Sequence, residues 1–459
     1  MTVLPAEHLR LPFATARVAC LTACAGLLFG FSTAGMAGWL DEIGLVFTLD
    51  TAGKEKLTVE LVVFCFLGAI AAGPLARKYG RRVVLLAAFC LAAAGYGIVL
   101  GQPDLVAFVV ARVLIGFAVG LCSMVGPMYA GEATPARTRG GVVAVFQLAV
   151  TMGILLAYAV PLAIGDPAKW ALGIGLGGVI PLVGLLVLSS VPESPVWLET
   201  VGRAGQADAA ARALGVVRSV QAGGTVPASG VSLNQLRKGS TLAVVGLCCA
   251  LFVLQNLSGI DGILYYAPTI FVELGYAPGP AALGATFGLG LVNLVATVIA
   301  IAMVDRLGRR PLAIFGALVM MIGLLGVVLA NTFAMPILGL AGLLIFTAAF
   351  AISLGPLPYV VMSELVPGEI RESGIAIASA TSWLFNALVA FFFLSGVSAI
   401  GLTGVFLFFA AVCGLAMCLS LIWLPETKGR NLAEIEANVL GGACLRDLGG
   451  SQAFRKRRP

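Results

Sequence analysis

The sequence predicts an all-α integral membrane protein whose twelve transmembrane helices form two pseudo-symmetric six-helix bundles. Three observations predict it. Hydrophobic residues make up 60% of the 459 positions and charged ones 11%, with a mean hydropathy of +1.04, which leaves too little polar surface to clothe a soluble globule of this length. Apolar runs of about 20 residues, the length that crosses a bilayer as a helix, recur twelve times. Three short motifs also recur in one order at nearly one spacing. Gly80-Arg81-Arg82 returns as Gly308-Arg309-Arg310 after 228 residues, and Glu132-x-x-Pro135-x-x-x-Arg139 returns as Glu364-x-x-Pro367-x-x-x-Arg371 after 232. Pro192-Glu193-Ser194 returns as Pro425-Glu426-Thr427 after 233. Duplication over half a chain is a hallmark of secondary transporters.

The apolar runs fall at about 18–40, 58–76, 83–101, 105–128, 141–164 and 171–191, then 241–263, 281–303, 312–331, 335–362, 374–397 and 402–424. They are rich in Leu, Ala, Val and Gly without strict polar alternation, so they read as helices and not as barrel strands. Residues 1–191 are the first bundle and 241–459 the second, with a short tail. Between them, 192–240 is polar; the stretch from Arg203 to Leu214 has the composition of a short amphipathic helix on the cytoplasmic face, followed by a flexible tether through Gly223-Gly224.

Of 28 Lys and Arg, 24 lie in the N-terminus, the linkers and the C-terminal tail that share one side; Lys54, Lys56 and Lys169 lie opposite and Arg112 lies within a span. The positive-inside rule then places both termini in the cytoplasm of a multi-pass cell-membrane protein. The net charge of +6 reflects that topology, and the tail Arg455-Lys456-Arg457-Arg458 suits a lipid surface better than a nucleic acid. Arg10 and Arg17 lead into a span too long for a cleavable signal. Nine of the ten cysteines lie inside apolar runs, where they serve as small hydrophobes, and Cys444 lies in the tail. With His8 as the only histidine, no metal or cofactor site is expected.

The motif set is wider than the repeat. Arg112 is followed by Gly116 and Gly120, and Pro127-Met128-Tyr129 leads to Glu132 and on through Arg139-Gly140. Gln147, Pro192-Glu193-Ser194-Pro195-Val196-Trp197, the stretch from Gln255 to Tyr266, and Asn293 with Thr297 follow. Asp305-Arg306-Leu307-Gly308-Arg309-Arg310, Gly355-Pro356-Leu357-Pro358 and Pro425-Glu426-Thr427-Lys428-Gly429-Arg430 complete it. Together, over nearly the whole chain, these resemble the sugar porter branch of the major facilitator superfamily. The resemblance implies two six-helix bundles that rock about a central site and expose it to one side at a time. It also implies a cytoplasmic gate of opposite charges: Arg81, Arg82, Glu132, Arg139, Glu193, Asp305, Arg309, Arg310, Glu364, Arg371 and Glu426. Helix-end charges serving topology alone are the simpler reading of the same residues. One departure stands out, since Arg77-Lys78 replaces the family's Asp-Arg pair and leaves that turn without its own acid.

A sugar offers hydroxyls and no charge, so its site needs amides, hydroxyls and an aromatic face. By resemblance the hydrogen-bonding candidates are Gln147, Gln255, Asn256, Asn293 and Asn386, and the aromatic walls are Phe29, Tyr359 and Trp383. Interhelical bonding is the alternative role for such amides. The expected substrate is a small neutral sugar or polyol; Asn256, Tyr359 and Ser382 each stand where the family carries a larger Gln, Trp or Asn/Gln, so the pocket is built from smaller groups at three points and a polyol or a larger glycoside also fits.

Proton-coupled members of the family carry Asp where this chain has Ser32, and the repeat-equivalent position 229 residues on, where the family has Asn, is Asp261. A carboxylate inside a span costs about 2.5–3.5 kcal/mol on insertion scales and usually faces a cavity and works. Asp261 is therefore the candidate coupling residue, with Arg112 as a candidate partner; a hydrogen bond to sugar without coupling, and a structural role, remain open. Six residues separate Gln255 from Asp261, about 120° apart on an unbroken helix, and Gly259 and Gly262 are candidate break points. The expected function is secondary transport of a monosaccharide or polyol, proton-coupled or facilitative, with a carrier of cationic solutes as the alternative. No nucleophile, metal cluster or phosphate loop argues for an enzyme.

Overall fold

The computed structural model describes residues 7–216, 239–367, 370–430 and 432–449, with side chains except at 7–12, 136, 239, 302, 304, 305, 371–373, 432 and 433. Most of the tether expected after the amphipathic segment and the basic tail lie outside these residues. The chain divides into two compact units, 1–224 and 225–459.

In unit 1, α1 (Glu7–Ala34), α3 (Thr51–Tyr79), α4 (Arg81–Leu100), α5 (Leu105–Ala133) and α6 (Ala136–Ile164) are long, and α2 (Leu40–Val46) is a short outer segment. The sixth crossing is built from α7 (Trp170–Gly175) and α8 (Val179–Ser189) joined by a 3-10 turn. Local chemistry sets several starts. Asp50 caps α3 by accepting the Gly53 N–H at 2.7 Å, and Asp104 caps α5 by accepting that of Ala107 at 2.8 Å. Two short helices follow, α9 (Pro195–Thr200) and α10 (Ala204–Leu214). Ala207 and Ala210 of α10 pack on Trp197 and Leu198 of α9, so the amphipathic segment buries its small-residue face.

Within unit 1, α1 packs on α6, α3 on α5, and α4 on both α5 and α8. Small residues permit the approach: a Cβ on Gly30 would strike the Val150 carbonyl, and one on Gly120 would strike that of Cys65.

Unit 2 runs α11 (Gly239–Leu257), α12 (Ile260–Tyr265), α13 (Ala267–Glu273), α14 (Pro280–Leu307), α15 (Arg309–Thr332), α16 (Pro336–Ile352), α17 (Leu357–Leu365), α18 (Arg371–Ile422) and α19 (Leu432–Leu440). Here α11 packs on α18, α14 on α16, and α15 on both α16 and α18, the repeat of the pairings in unit 1. Among the described residues eleven helical runs are long and apolar enough to cross a membrane. The longest, Gly374–Ile422, has 49 residues and would span about 70 Å if straight, more than twice a bilayer core. It is two crossings turned at Gly401, whose φ of 73° and ψ of 163° leave the helix, so the crossings number twelve. Large apolar side chains such as Val106, Leu186, Phe315 and Ile337 stand exposed, as a lipid solvent requires.

In unit 2, two apolar runs that look continuous in sequence are broken. The seventh stops at Leu257 and restarts at Ile260, because Gly259 adopts φ 91°, open to a residue without Cβ. The tenth stops at Ile352 and restarts at Leu357 across Gly355-Pro356, where proline supplies no N–H for the ladder.

Candidate functional site

Charges gather first at the helix ends. In unit 1 Arg81 grips Glu132 with both arms, Nε to Oε2 at 2.9 Å and Nη2 to Oε1 at 2.8 Å. The Ser194 hydroxyl donates to the same carboxylate. Glu193 accepts the backbone N–H of Arg81 at 3.0 Å and of Arg82 at 3.0 Å, which ties the start of α4 to the segment after α8. Arg82 reaches back to the Leu188 carbonyl at 3.3 Å. In unit 2 Arg309 Nη2 donates to Glu364 at 2.8 Å and Thr427 Oγ1 to the same carboxylate at 2.5 Å. Glu426 accepts the N–H groups of Arg309 and Arg310, each at 3.1 Å, and Arg310 reaches the Leu421 carbonyl at 2.6 Å. The same groups recur in the same order, although Arg81 engages its glutamate through Nε and Nη2 and Arg309 through Nη2.

Eight of the eleven expected gate residues, Arg81, Arg82, Glu132, Glu193, Arg309, Arg310, Glu364 and Glu426, fall in these two clusters. Glu132 and Glu364 take the arginines of the Gly-Arg-Arg turns, and each ion pair closes within its own unit. Arg139, the end of the sequence motif, stands exposed on the first turn of α6 instead of reaching Glu132. The reason is geometric: Pro135 turns the chain between α5 and α6, so sequence proximity does not become contact. The side chains of Asp305 and Arg371 lie outside the described residues. Ser194 and Thr427 join the clusters without standing among the expected gate residues, although the Pro-Glu-Ser/Thr repeat already carried the signal.

The polar candidates of unit 2 converge around the two helix breaks. Gln255 Nε2 donates to the carbonyls of Leu354 at 2.9 Å and Gly355 at 2.8 Å, acceptors that the break between α16 and α17 sets free. Asn256 Nδ2 donates to the Phe252 carbonyl at 2.7 Å and to Ser382 Oγ at 3.2 Å. Each amide has therefore used both its N–H groups on the protein and retains its oxygen as an acceptor. The Tyr359 phenol is hydrogen-bonded to Ser382, and its ring stands edge-on to Phe252 at 4.8 Å.

Asp261 lies in the first turn of α12, partly exposed, and the side chain of Asn386 on α18 hydrogen-bonds it. Tyr265 OH donates to Asn386 Oδ1 at 3.1 Å, which turns the amide so that its N–H side meets the carboxylate. Tyr266 OH donates to the Ala390 carbonyl at 2.8 Å and its ring stacks on Phe393 at 5.2 Å, fastening the end of α12 to α18. The break at Gly259 removes the 120° offset expected between Gln255 and Asp261, since the two belong to different helices. Asn293 is buried on α14, outside this hydrogen-bonded cluster among the described residues, and Trp383 is half-buried on α18 beside Ser382. Tyr265 and Ser382 complete the cluster; the sequence marked Ser382 only as a smaller replacement, and spatial proximity reveals its bond to Asn256 and that of Tyr265 to Asn386.

In unit 1, Phe29 on α1 meets Phe146 on α6 edge-on at 6.4 Å, and Gln147 beside it is exposed. Ser32 lies in the unbroken α1, donates to the Leu28 carbonyl at 2.6 Å and shares a 2.8 Å hydrogen bond with Tyr96. A small internal cavity there is also lined by Phe31 and Arg112. Arg112, buried, donates to the carbonyls of Leu57 at 3.3 Å and Thr58 at 3.4 Å on α3. Asp261 and Arg112, expected as partners, each take hydrogen-bond partners in their own unit.

Comparison with known proteins bears on this geometry. Residues 18–439 match the family model described as "Sugar (and other) transporter". The galactose-proton symporter of Escherichia coli (strain K12) is 34% identical over 443 residues, covering 94% of this chain and 95% of the relative. The D-xylose-proton symporter of the same strain is 35% identical over 467 residues, covering 90% and 93%. Among solved structures, the E. coli xylose transporter in an inward open conformation superposes with a TM-score of 0.76 at 30% identity, covering 92% of this chain and 99% of that one.

Proposed function

The chain belongs to the sugar transporter family of the major facilitator superfamily, and from that premise we propose that it carries a monosaccharide or related polyol across the cell membrane, with a proton taken up at Asp261. It is a multi-pass membrane transporter and not an enzyme, working by alternating access. The observation that carries the substrate reading is the cluster of unit 2. Gln255 and Asn256 offer acceptor oxygens, and Asp261 adds a carboxylate within reach of the same network. Sugar hydroxyls are donors as well as acceptors and satisfy such a surface. Tyr359 and Trp383 supply flat apolar faces for the ring.

The proton reading rests on where Asp261 sits. It is a carboxylate in a span, at a helix break, reachable by solvent and not ion-paired within its cluster, so a proton is the simplest means of neutralising it during a transport cycle. Symporters at about one-third identity support the same reading. The basic residues concentrated on one side support a topology with both termini in the cytoplasm and the Arg–Glu clusters at the cytoplasmic ends. There the clusters hold the helix ends of each unit together, so that each unit moves as a body.

The test is uptake of labelled D-galactose and D-xylose into proteoliposomes, with and without an inward proton gradient. The parent is expected to concentrate at least one sugar when the gradient is imposed, and Asp261→Asn only to equilibrate it. Equal concentration by the variant would remove Asp261 from the coupling.

A further inference from the structure

Asp261 is an acid in a unit whose spans contain no base. Residues 239–304, 311–370 and 372–427 include no Lys, Arg or His. Arg309 is committed to Glu364 and, with Arg310, holds Glu426 through the backbone. Arg306 lies exposed at the end of α14. Among the described residues of unit 2, the groups that face Asp261 are neutral: the Asn386 amide on α18, the Tyr359 phenol on α17 and, through Asn386, the Tyr265 phenol on its own helix.

The rest of the cluster has its donors turned away. Gln255 and Asn256 spend their four amide N–H groups on protein acceptors, which leaves two carbonyl oxygens on the helix that the Gly259 break separates from the partly exposed Asp261 carboxylate. An ammonium group has three donors and a full positive charge and matches that set better than a hydroxyl does.

We propose that a monosaccharide bearing a primary amine is a substrate of this site, with its ammonium taking the place of the proton at Asp261. The inference rests on the reading of Asp261 as the acid of the sugar site. A neutral sugar would enter with one proton and an amino sugar with none, so each cycle moves one positive charge. No covalent bond forms or breaks.

The experiment uses the full chain in proteoliposomes with an internal pH-sensitive dye, and labelled D-glucosamine, N-acetyl-D-glucosamine and D-galactose as probes. Glucosamine is expected to enter under an inside-negative potential without acidifying the lumen, and about tenfold faster than its uncharged N-acetyl form. Asp261→Asn should lower the ratio of glucosamine to galactose uptake about tenfold, and Asp261→Glu should recover much of that ratio. An unchanged ratio in Asp261→Asn overturns the proposal, as does absence of glucosamine entry in vesicles that take up galactose. If galactose uptake proves independent of the proton gradient while the glucosamine preference vanishes in Asp261→Asn, the proton reading fails and the amine site stands.

Discussion

At the start of α4 in unit 1 a guanidinium, two backbone amides and a hydroxyl converge on Glu132 and Glu193, and the same groups converge on Glu364 and Glu426 in unit 2. Near the end of the first helical crossing of each unit the match ends. Ser32 lies in an unbroken helix and bonds Tyr96, whereas Asp261 follows a left-handed glycine and bonds Asn386. The helix-end clusters do one job twice, locking crossings together, and any change in one would loosen that unit. Ser32 and Asp261 differ in side chain, in backbone setting and in partners, and the acid stands on the second copy.

The comparison breaks most readily at Asp261. Parent protein should accumulate sugar about tenfold for each unit of imposed pH gradient, and Asp261→Asn should fall to equilibration. Adding Ser32→Asp to that variant moves the acid to the repeat-equivalent position, and partial recovery of gradient-driven accumulation is expected. No recovery would mean that the helix break at Gly259, and not the acid alone, is needed for coupling.

The clusters come next. Arg81→Leu and Arg309→Leu each strand a largely buried carboxylate, with side-chain exposures of 12% and 17% for one pair and 11% and 17% for the other. Each should cost about 3 kcal/mol, equal within about 1 kcal/mol, read as thermal-shift midpoints of detergent-purified protein. A large effect from only one of them would end the equivalence of the two clusters.

Gly259→Ala should cost about 2 kcal/mol by the same assay, because the residue keeps φ 91° and a Cβ there meets the Phe409 ring. Its repeat counterpart Gly30 has no positive φ, and substitution there fails through the Val150 carbonyl instead. The smallest effect belongs to Ser382→Ala, which removes the bridge between Asn256 and Tyr359. About 1 kcal/mol of stability should go, together with weaker protection of the parent by galactose in thermal shift.

Much of this was legible beforehand, and particular residues show where legibility stopped. The Gly-Arg-Arg and Pro-Glu-Ser/Thr repeats pointed to Arg81, Glu193, Arg309 and Glu426, which the structure brings together. The Glu-x-x-Pro-x-x-x-Arg spacing pointed to Arg139 as well, yet Glu132 takes Arg81, from another helix. Asp261 was visible as an acid in an apolar run, but its partners, Asn386 with Tyr265 behind it, come from more than a hundred residues away and from its own short helix.

By itself the sequence determined the membrane class, the twelve crossings and the duplication, because hydropathy, span length and repeat spacing are properties of the chain read one residue after another. It also determined that the two halves differ at Ser32 and Asp261, since a repeat exposes its own mismatches. Only the tertiary structure decided which arginine each glutamate holds, that Gln255 and Asn256 point their donors into the protein, and that a break at Gly259 separates Gln255 from Asp261. Those are matters of direction and distance between helices, set by packing and by backbone carbonyls in need of partners, and no one-dimensional spacing encodes them.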